Sequence, residues 1–315
     1  MCQLITIGET MVSFVPQNNE PLQYGPSLKM RIAGAESNTA IGLTKLGHTA
    51  SFISCVGADS LGQFLLRMLR AEGVDTSAIR TLEDYPTGIM LKEPSPSGTS
   101  CFYYRSNSAA SNIGIEDIPE TLFTEADIFH FTGITPILSN SCKDTILHAI
   151  ELAKRSSCRI SFDPNIRLKL WRGEDHAPLM RHLIEQTNYL MIGLDEADTL
   201  YHTKDINSLV SLFFTSPNLE VLAIKDGANG VTVSDGKITE FIPPYSCCCI
   251  DPVGAGDAFN AGFLSGLLRG AYIINAGKMG AISGARATET RGDIEGLLTY
   301  PQLQNIMNGI VPVDR

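Results

Sequence analysis

Short apolar runs alternate along this 315-residue chain with segments whose apolar positions recur every three or four residues, and that rhythm constrains the fold most. Residues 3–7 read as a buried strand, and residues 34–45 carry small and apolar side chains at helical spacing before Gly47 ends them. A strand at 51–56 follows. Leu61, Phe64, Leu65, Met68 and Leu69 then share one face of a helix closed by Gly73. The alternation continues with strands at 128–132, 159–163, 189–192 and 221–225. Helices fall at 141–155, 177–186, from 195, after Gly256 and over 277–288, and a β-rich patch covers 230–242. Strand and helix in alternation imply an α/β chain with a mostly parallel sheet covered on both faces, three layers in all. Two segments break the rhythm. Residues 12–32 hold Pro16, Pro21 and Pro26, and residues 87–105 alternate polar and apolar through Ser100, Cys101, Phe102, Tyr103 and Tyr104; both read as strands outside the main sheet. No linker-like stretch and no repeat divides the chain, so a single domain is expected.

Acids outnumber bases 34 to 24, and the formal charge of -10 disfavours nucleic acid or an anionic membrane as partner, since both require a basic surface. An anionic substrate must then be met by locally placed Arg, Lys or backbone N–H. The first residues read as a strand and not as a secretion signal, and the apolar stretch 258–277 is interrupted by Asn260, Ser265, Arg269 and Asn275, as in a buried helix. A soluble, cytoplasmic protein is expected. The eight cysteines form no CxxC pair, so free, partly buried thiols are expected in place of a metal site.

The densest chemistry lies at Asp251-Pro252-Val253-Gly254-Ala255-Gly256-Asp257, which runs directly into Ala258-Phe259-Asn260-Ala261-Gly262-Phe263-Leu264. Two carboxylates bracket a loop whose glycines let successive N–H groups face one concavity at a helix start, a corner suited to anions. Asp257 in the first turn projects over whatever those amides hold. Gly34-Ala35-Glu36-Ser37-Asn38 opens the first long helix, with Gly34 permitting close approach of a ligand and Asn38 offering a donor and an acceptor to a hydroxyl. Tyr103, Tyr104 and Arg105 end an out-of-sheet strand, and Arg167 follows a central strand, at the carboxyl end where doubly wound sheets bind ligands. Two arginines there suggest an acidic substrate, because a guanidinium matches a carboxylate with two parallel hydrogen bonds.

The 251–264 segment resembles the ribokinase-like (PfkB) family of sugar kinases, all fourteen positions being compatible with that family's pattern. The resemblance covers nearly the whole chain and implies a three-layer α/β/α ribokinase-like fold with a small β-sheet lid at about 12–32 and 87–105. It makes Asp257 the catalytic base and Gly254, Ala255 and Gly256 the anion hole. Within the family, the Gly34–Asn38 helix start, Tyr103, Tyr104, Arg105 and Arg167 look like the 2-keto-3-deoxygluconate kinases, where matching residues hold the sugar acid and the matches of Asp251 and Asp257 face its reactive end. By the same resemblance Asp293 lies in a late loop near adenine or substrate, and Asn165, Lys225, Gly227 and Gly230 belong to the ATP side. Glu196 stands where the family has Asn-x-x-Glu, whose acid organises Mg²⁺ through water; Gly193 replaces the Asn, which removes one expected phosphate contact.

No Walker P-loop and no protein-kinase HRD and DFG set occurs, so the phosphates must be held by the Gly254–Gly256 amides, Mg²⁺ and Lys225. The expected reaction is in-line transfer from ATP to the 6-hydroxyl of 2-keto-3-deoxygluconate, with a homo-oligomer paired through the lid edges. The alternatives are a fructokinase or nucleoside kinase of the same fold, a non-catalytic sugar- or nucleotide-binding protein, and a dinucleotide oxidoreductase. The last needs GxGxxG after the first strand, which Gly8-Glu9-Thr10-Met11 does not supply.

Overall fold

The computed structural model describes residues 2–18, 20–95 and 98–310. Along the chain lie β1 (Leu4–Ile7), β2 (Met11–Pro16), β3 (Leu28–Ala33), α1 (Ala35–Lys45), β4 (Ala50–Gly57), α2 (Ser60–Ala71), β5 (Ile79–Leu82), β6 (Ile89–Ser95) and β7 (Gly98–Tyr104). Next come α3 (Glu120–Glu125), β8 (Ile128–Thr132), α4 (Asn140–Arg155), β9 (Arg159–Asp163), α5 (Leu168–Trp171), α6 (Ala177–Glu185), β10 (Tyr189–Gly193), α7 (Leu194–Tyr201) and α8 (Ile206–Phe213). The chain ends with β11 (Val221–Lys225), β12 (Val231–Ser234), β13 (Thr239–Ile242), α9 (Ala255–Leu268), α10 (Ile273–Ala287) and α11 (Tyr300–Met307).

The main sheet has the order β13-β12-β11-β10-β9-β8-β1-β4-β5. It is parallel from β5 to β11, with β12 and β13 added antiparallel at one edge. Its inner strands are largely buried because helices cover both faces; all eight residues of β4 are buried. One side of the core holds Ile5, Phe129, Phe131 and Phe162, with Phe131 stacked on Phe162 at 4.7 Å. The other holds Leu4, Phe52, Ala40 and Phe263. The chain leaves β1 toward β4 and later returns to β8 on β1's opposite side, so a crevice opens at the carboxyl end of β1.

Helix α9 is buried over ten consecutive residues, Asp257 to Gly266. It packs close to α1, where a Cβ on Gly42 would stand 2.5 Å from that of Ala261. A second sheet, β3-β2-β6-β7, closes over the crevice. Its register puts Ser13, Arg31, Met90, Lys92, Cys101 and Tyr103 on one face and Phe14, Met30, Leu91, Phe102 and Tyr104 on the other. Residues 19, 96 and 97 of the expected lid stretches lie outside the described residues.

The sequence reading missed α3, α5, α8, α11 and β5, all short elements of four to eight residues whose periodicity is brief. Helix α10 starts at Ile273 and not near Gly277. The cysteines are free, but Cys248 and Cys249 are exposed where partly buried thiols were expected. Among the described residues, no helix is long and apolar enough to cross a membrane.

Candidate active site

A cleft of about 810 Å³ opens between the carboxyl ends of the parallel strands and the second sheet. Two helices enter it side by side. Helix α1 starts after Gly34 at φ 154° and α9 after Gly254 at φ 87°, backbone conformations that side-chain-bearing residues rarely adopt. Gly34, Asn38, Gly254, Gly256 and Asp257 all line the cleft. Ala255 does not: its N–H turns back to the Pro252 carbonyl at 3.3 Å, so the amides available to an anion are those of Gly256 and Asp257, which have no intrahelical acceptor.

Asp257 is 8% exposed, and its Oδ2 accepts one hydrogen bond, from Asn38 Nδ2 at 2.7 Å. Burial pushes its pKa up to about 7; the Asn38 bond pulls it down, and the nearby Asp293 and Asp163 charges push it further up. A carboxyl raised this far changes protonation near neutral pH.

Asp251 corrects an expectation. It does not face the cleft beside Asp257; it lines a neighbouring cleft, where Oδ2 meets Lys92 Nζ at 3.1 Å and Oδ1 accepts from Thr99 Oγ1 at 3.1 Å and Val253 N at 3.2 Å. Lys92 also reaches Asp293 Oδ1 at 2.6 Å, and Asp293 Oδ2 accepts from Asn38 Nδ2 at 3.3 Å. Asp293 borders the main cleft, its backbone 3.0 Å from where a Cβ on Gly254 would sit.

Tyr103, Arg105 and Arg167 also line the cleft. Tyr104 does not. Adjacent strand residues point to opposite faces, so Tyr104 is 65% exposed on the far side of the sheet. Arg105 is buried and paired with Glu9, whose other oxygen accepts from Ser108 Oγ at 2.6 Å, so an acid of this chain already balances that guanidinium. Arg167 is exposed at the mouth and makes no ion pair with the described residues.

On the opposite side, Asp163 Oδ2 accepts from Lys225 Nζ at 2.7 Å and from Asn260 Nδ2 at 2.7 Å, while Oδ1 accepts from Asn165 N at 3.2 Å. Lys225 Nζ lies 4.0 Å from the place of a Cβ on Gly256, within reach of an anion held there. Glu196 caps its own helix through Gly193 N at 2.7 Å and accepts from Ile166 N at 2.8 Å. Burial and the Asp163 charge push its pKa up. Gly227 and Gly230 lie off the cleft walls, shaping the turn in which Asp226 N donates to the Gly230 carbonyl. The sequence reading did not single out Glu9, Lys92, Asp163 or Asn260. The polar Asn260 inside an otherwise apolar helix was the available signal for the last.

Residues 1–299 match the pfkB family of carbohydrate kinases. The chain is 34% identical over 311 residues to a 2-dehydro-3-deoxygluconokinase of Bacillus subtilis, covering 96% of this chain and 95% of the relative. A 2-dehydro-3-deoxygluconokinase of Thermoproteus tenax is 30% identical over 317 residues, covering 98% and 95%. An uncharacterized sugar kinase from Pyrococcus horikoshii, solved in complex with ATP, superimposes with a TM-score of 0.83 at 28% identity, covering 95% of this chain and 96% of that one.

Proposed function

The chain belongs to the pfkB family of carbohydrate kinases, and we propose that it phosphorylates the 6-hydroxyl of 2-keto-3-deoxygluconate from ATP with Asp257 as base. That it is a sugar kinase, moving phosphate to a hydroxyl, follows from membership and from its relatives. The observation that carries the finer reading is Asp257 itself: buried, lifted to about 7, and set one residue past the Gly256 amide at the head of α9.

In this reading the acceptor hydroxyl lies against Asp257, which takes its proton as the γ-phosphoryl arrives in line. The Gly254–Gly256 turn and the α9 dipole receive the transferring charge. Tyr103 covers the sugar. Arg167 meets its carboxylate, and Arg105, anchored by Glu9, supports it from the lid side. Gly34 and Asn38 hold its hydroxyls. The ATP phosphates extend toward Asn165, Lys225 and Gly193 on the far side of Gly256.

Among the described residues, no group of three His, Cys, Asp or Glu forms a cage for a metal. The residues present do fit Mg²⁺ carried on ATP. Asp163 and Glu196 both line the cleft, burial and then the Asp163 charge make Glu196 costly to ionise, and Mg²⁺ needs only one or two carboxylates through water. Mg²⁺ bound there would neutralise phosphate charge.

We further read the whole chain as one kinase domain with the second sheet as its lid, working in the cytoplasm as a homo-oligomer. The exposed Phe102 and Tyr104 on the lid's outer face support pairing between subunits.

The test is ADP release in a coupled assay with Mg²⁺ATP, comparing 2-keto-3-deoxygluconate with fructose, ribose and gluconate. A preference of about a hundredfold for the keto-deoxy acid, roughly 2.7 kcal/mol of transition-state binding, is expected, and Arg167→Ala should erase most of it. Preference for a neutral sugar overturns the acid reading, and silence with every acceptor overturns the 2-keto-3-deoxygluconate kinase reading as a whole.

A further inference from the structure

Lys92 is 1% exposed, on a lid strand, and its ammonium is shared by two carboxylates that belong to the body of the molecule. A lysine is expensive to bury, and this one is buried only because Asp251 and Asp293 surround it. Both acids adjoin the machinery. Asp251 opens the loop that leads to Gly254, and Asp293 packs on the Gly254 backbone. Asp293 also shares Asn38 Nδ2 with Asp257. Thr99, on the next lid strand, makes a second bond to Asp251. The chain of contacts therefore runs from lid to base: Lys92, Asp293, Asn38, Asp257.

We propose that Lys92 is a positioning residue that latches the lid onto the catalytic loop, its ammonium holding Asp251 and Asp293 so that lid closure and the alignment of Asp257 occur together. With the lid raised, Asp251 and Asp293 lose their shared counter-ion, and Asn38 is drawn between two uncompensated acids. With the lid seated, Asp293 is neutralised and Asn38 is fixed on Asp257. The Lys92 site also borders a second cleft of about 660 Å³, lined by Val15, Pro21, Thr99, Ile250 and Asp251, through which a small amine could reach the acids if the side chain were removed.

The proposal rests on Asp257 being the base, so D257N is measured beside the Lys92 variants. Lys92→Met should lower kcat/KM for the acceptor about a hundredfold while KM for ATP stays within about threefold, because the latch touches the acceptor side. Lys92→Ala should lose as much and recover about tenfold in methylammonium that leaves the wild type unchanged, and Lys92→Arg should stay within about tenfold of wild type. Hydrogen exchange of β6 and β7 should slow when acceptor binds the wild type, and this protection should vanish in Lys92→Met. Turnover of Lys92→Met within about threefold of wild type overturns the latch, as does loss that methylammonium does not restore with lid protection intact. Failure of both Lys92→Met and Lys92→Ala to fold also counts against it, since Lys92 would then serve the fold and not closure. An active D257N overturns the base reading; an inactive D257N with an unimpaired Lys92→Met overturns the latch alone.

Discussion

Helices α1 and α9 both begin at a glycine bordering the cleft, lie against each other, and bury an acid in their first turn, yet Glu36 and Asp257 keep different company. Glu36 Oε1 accepts from Thr132 Oγ1 at 2.7 Å, Thr135 Oγ1 at 2.7 Å and Thr132 N at 3.3 Å. Burial pushes its pKa up and the two threonines pull against it. Asp257 has one donor, Asn38, and two acids nearby. The difference teaches that burial alone does not make an acid reactive. A saturated acid ties elements together, here α1 to the end of β8, whereas an acid left short of donors beside a cleft is available to a substrate.

The sharpest way to break this comparison is Asp257→Asn. It should lower kcat by about 10³ or more while acceptor and ATP binding stay within about threefold, measured by steady-state kinetics and calorimetry; equal loss of binding would return Asp257 to a structural role like that of Glu36. Next in size is Gly256→Ala. Outside its own helix turn no described atom lies closer than 4.0 Å to the added methyl, so thermal stability should hold, but the methyl would fill the proposed anion site and cost about a hundredfold in kcat.

The pH dependence sharpens the contrast further. On the proposed reading Asp257 acts in its ionised form, and with its pKa raised to about 7 kcat/KM should fall about tenfold per unit below pH 7 and level off above it. The sign for stability is opposite. An unfolded Asp ionises near pH 4 and the native one near 7, so the native state loses stability as pH rises through that window, and Asp257→Asn should be the more stable protein above pH 7, by up to about 3 kcal/mol in urea titrations. A variant no more stable at pH 8 than at pH 4, relative to wild type, would mean that the carboxylate is well solvated.

The smallest catalytic effect belongs to Glu36→Gln. It exchanges an acceptor for a donor among three donors and should cost about 1 to 3 kcal/mol of stability, while kcat/KM stays within about tenfold.

Much of the architecture was legible because parallel strands and their helices have strong, distinct periods, and β8, β9 and β11 fall where the pattern put them. The start of α9 was legible because a glycine-containing turn runs directly into a long apolar stretch. Pairings across the fold were not. Lys92 and Asp293 are 201 residues apart in sequence, and nothing local in a lid strand distinguishes a lysine bound by two acids from one bathed in water. Arg105 was visible as a cation, but its partner Glu9 came from a turn judged only for the glycines it lacked. Strand phase was available and unused: Tyr103 shares a face with Met90, and Tyr104 does not.

The two sheets have separate strand orders, with Asp163 and Lys225 on one and Tyr103 and Lys92 on the other. That separation bears on how such a protein can change over generations. On the proposed reading a change at Tyr103 would alter what is grasped without disturbing the ladder beneath the anion site, whereas a change at Lys92 would reach Asp257 through Asp293 and Asn38, so a lineage can drift from one acceptor to another only where that lysine is kept.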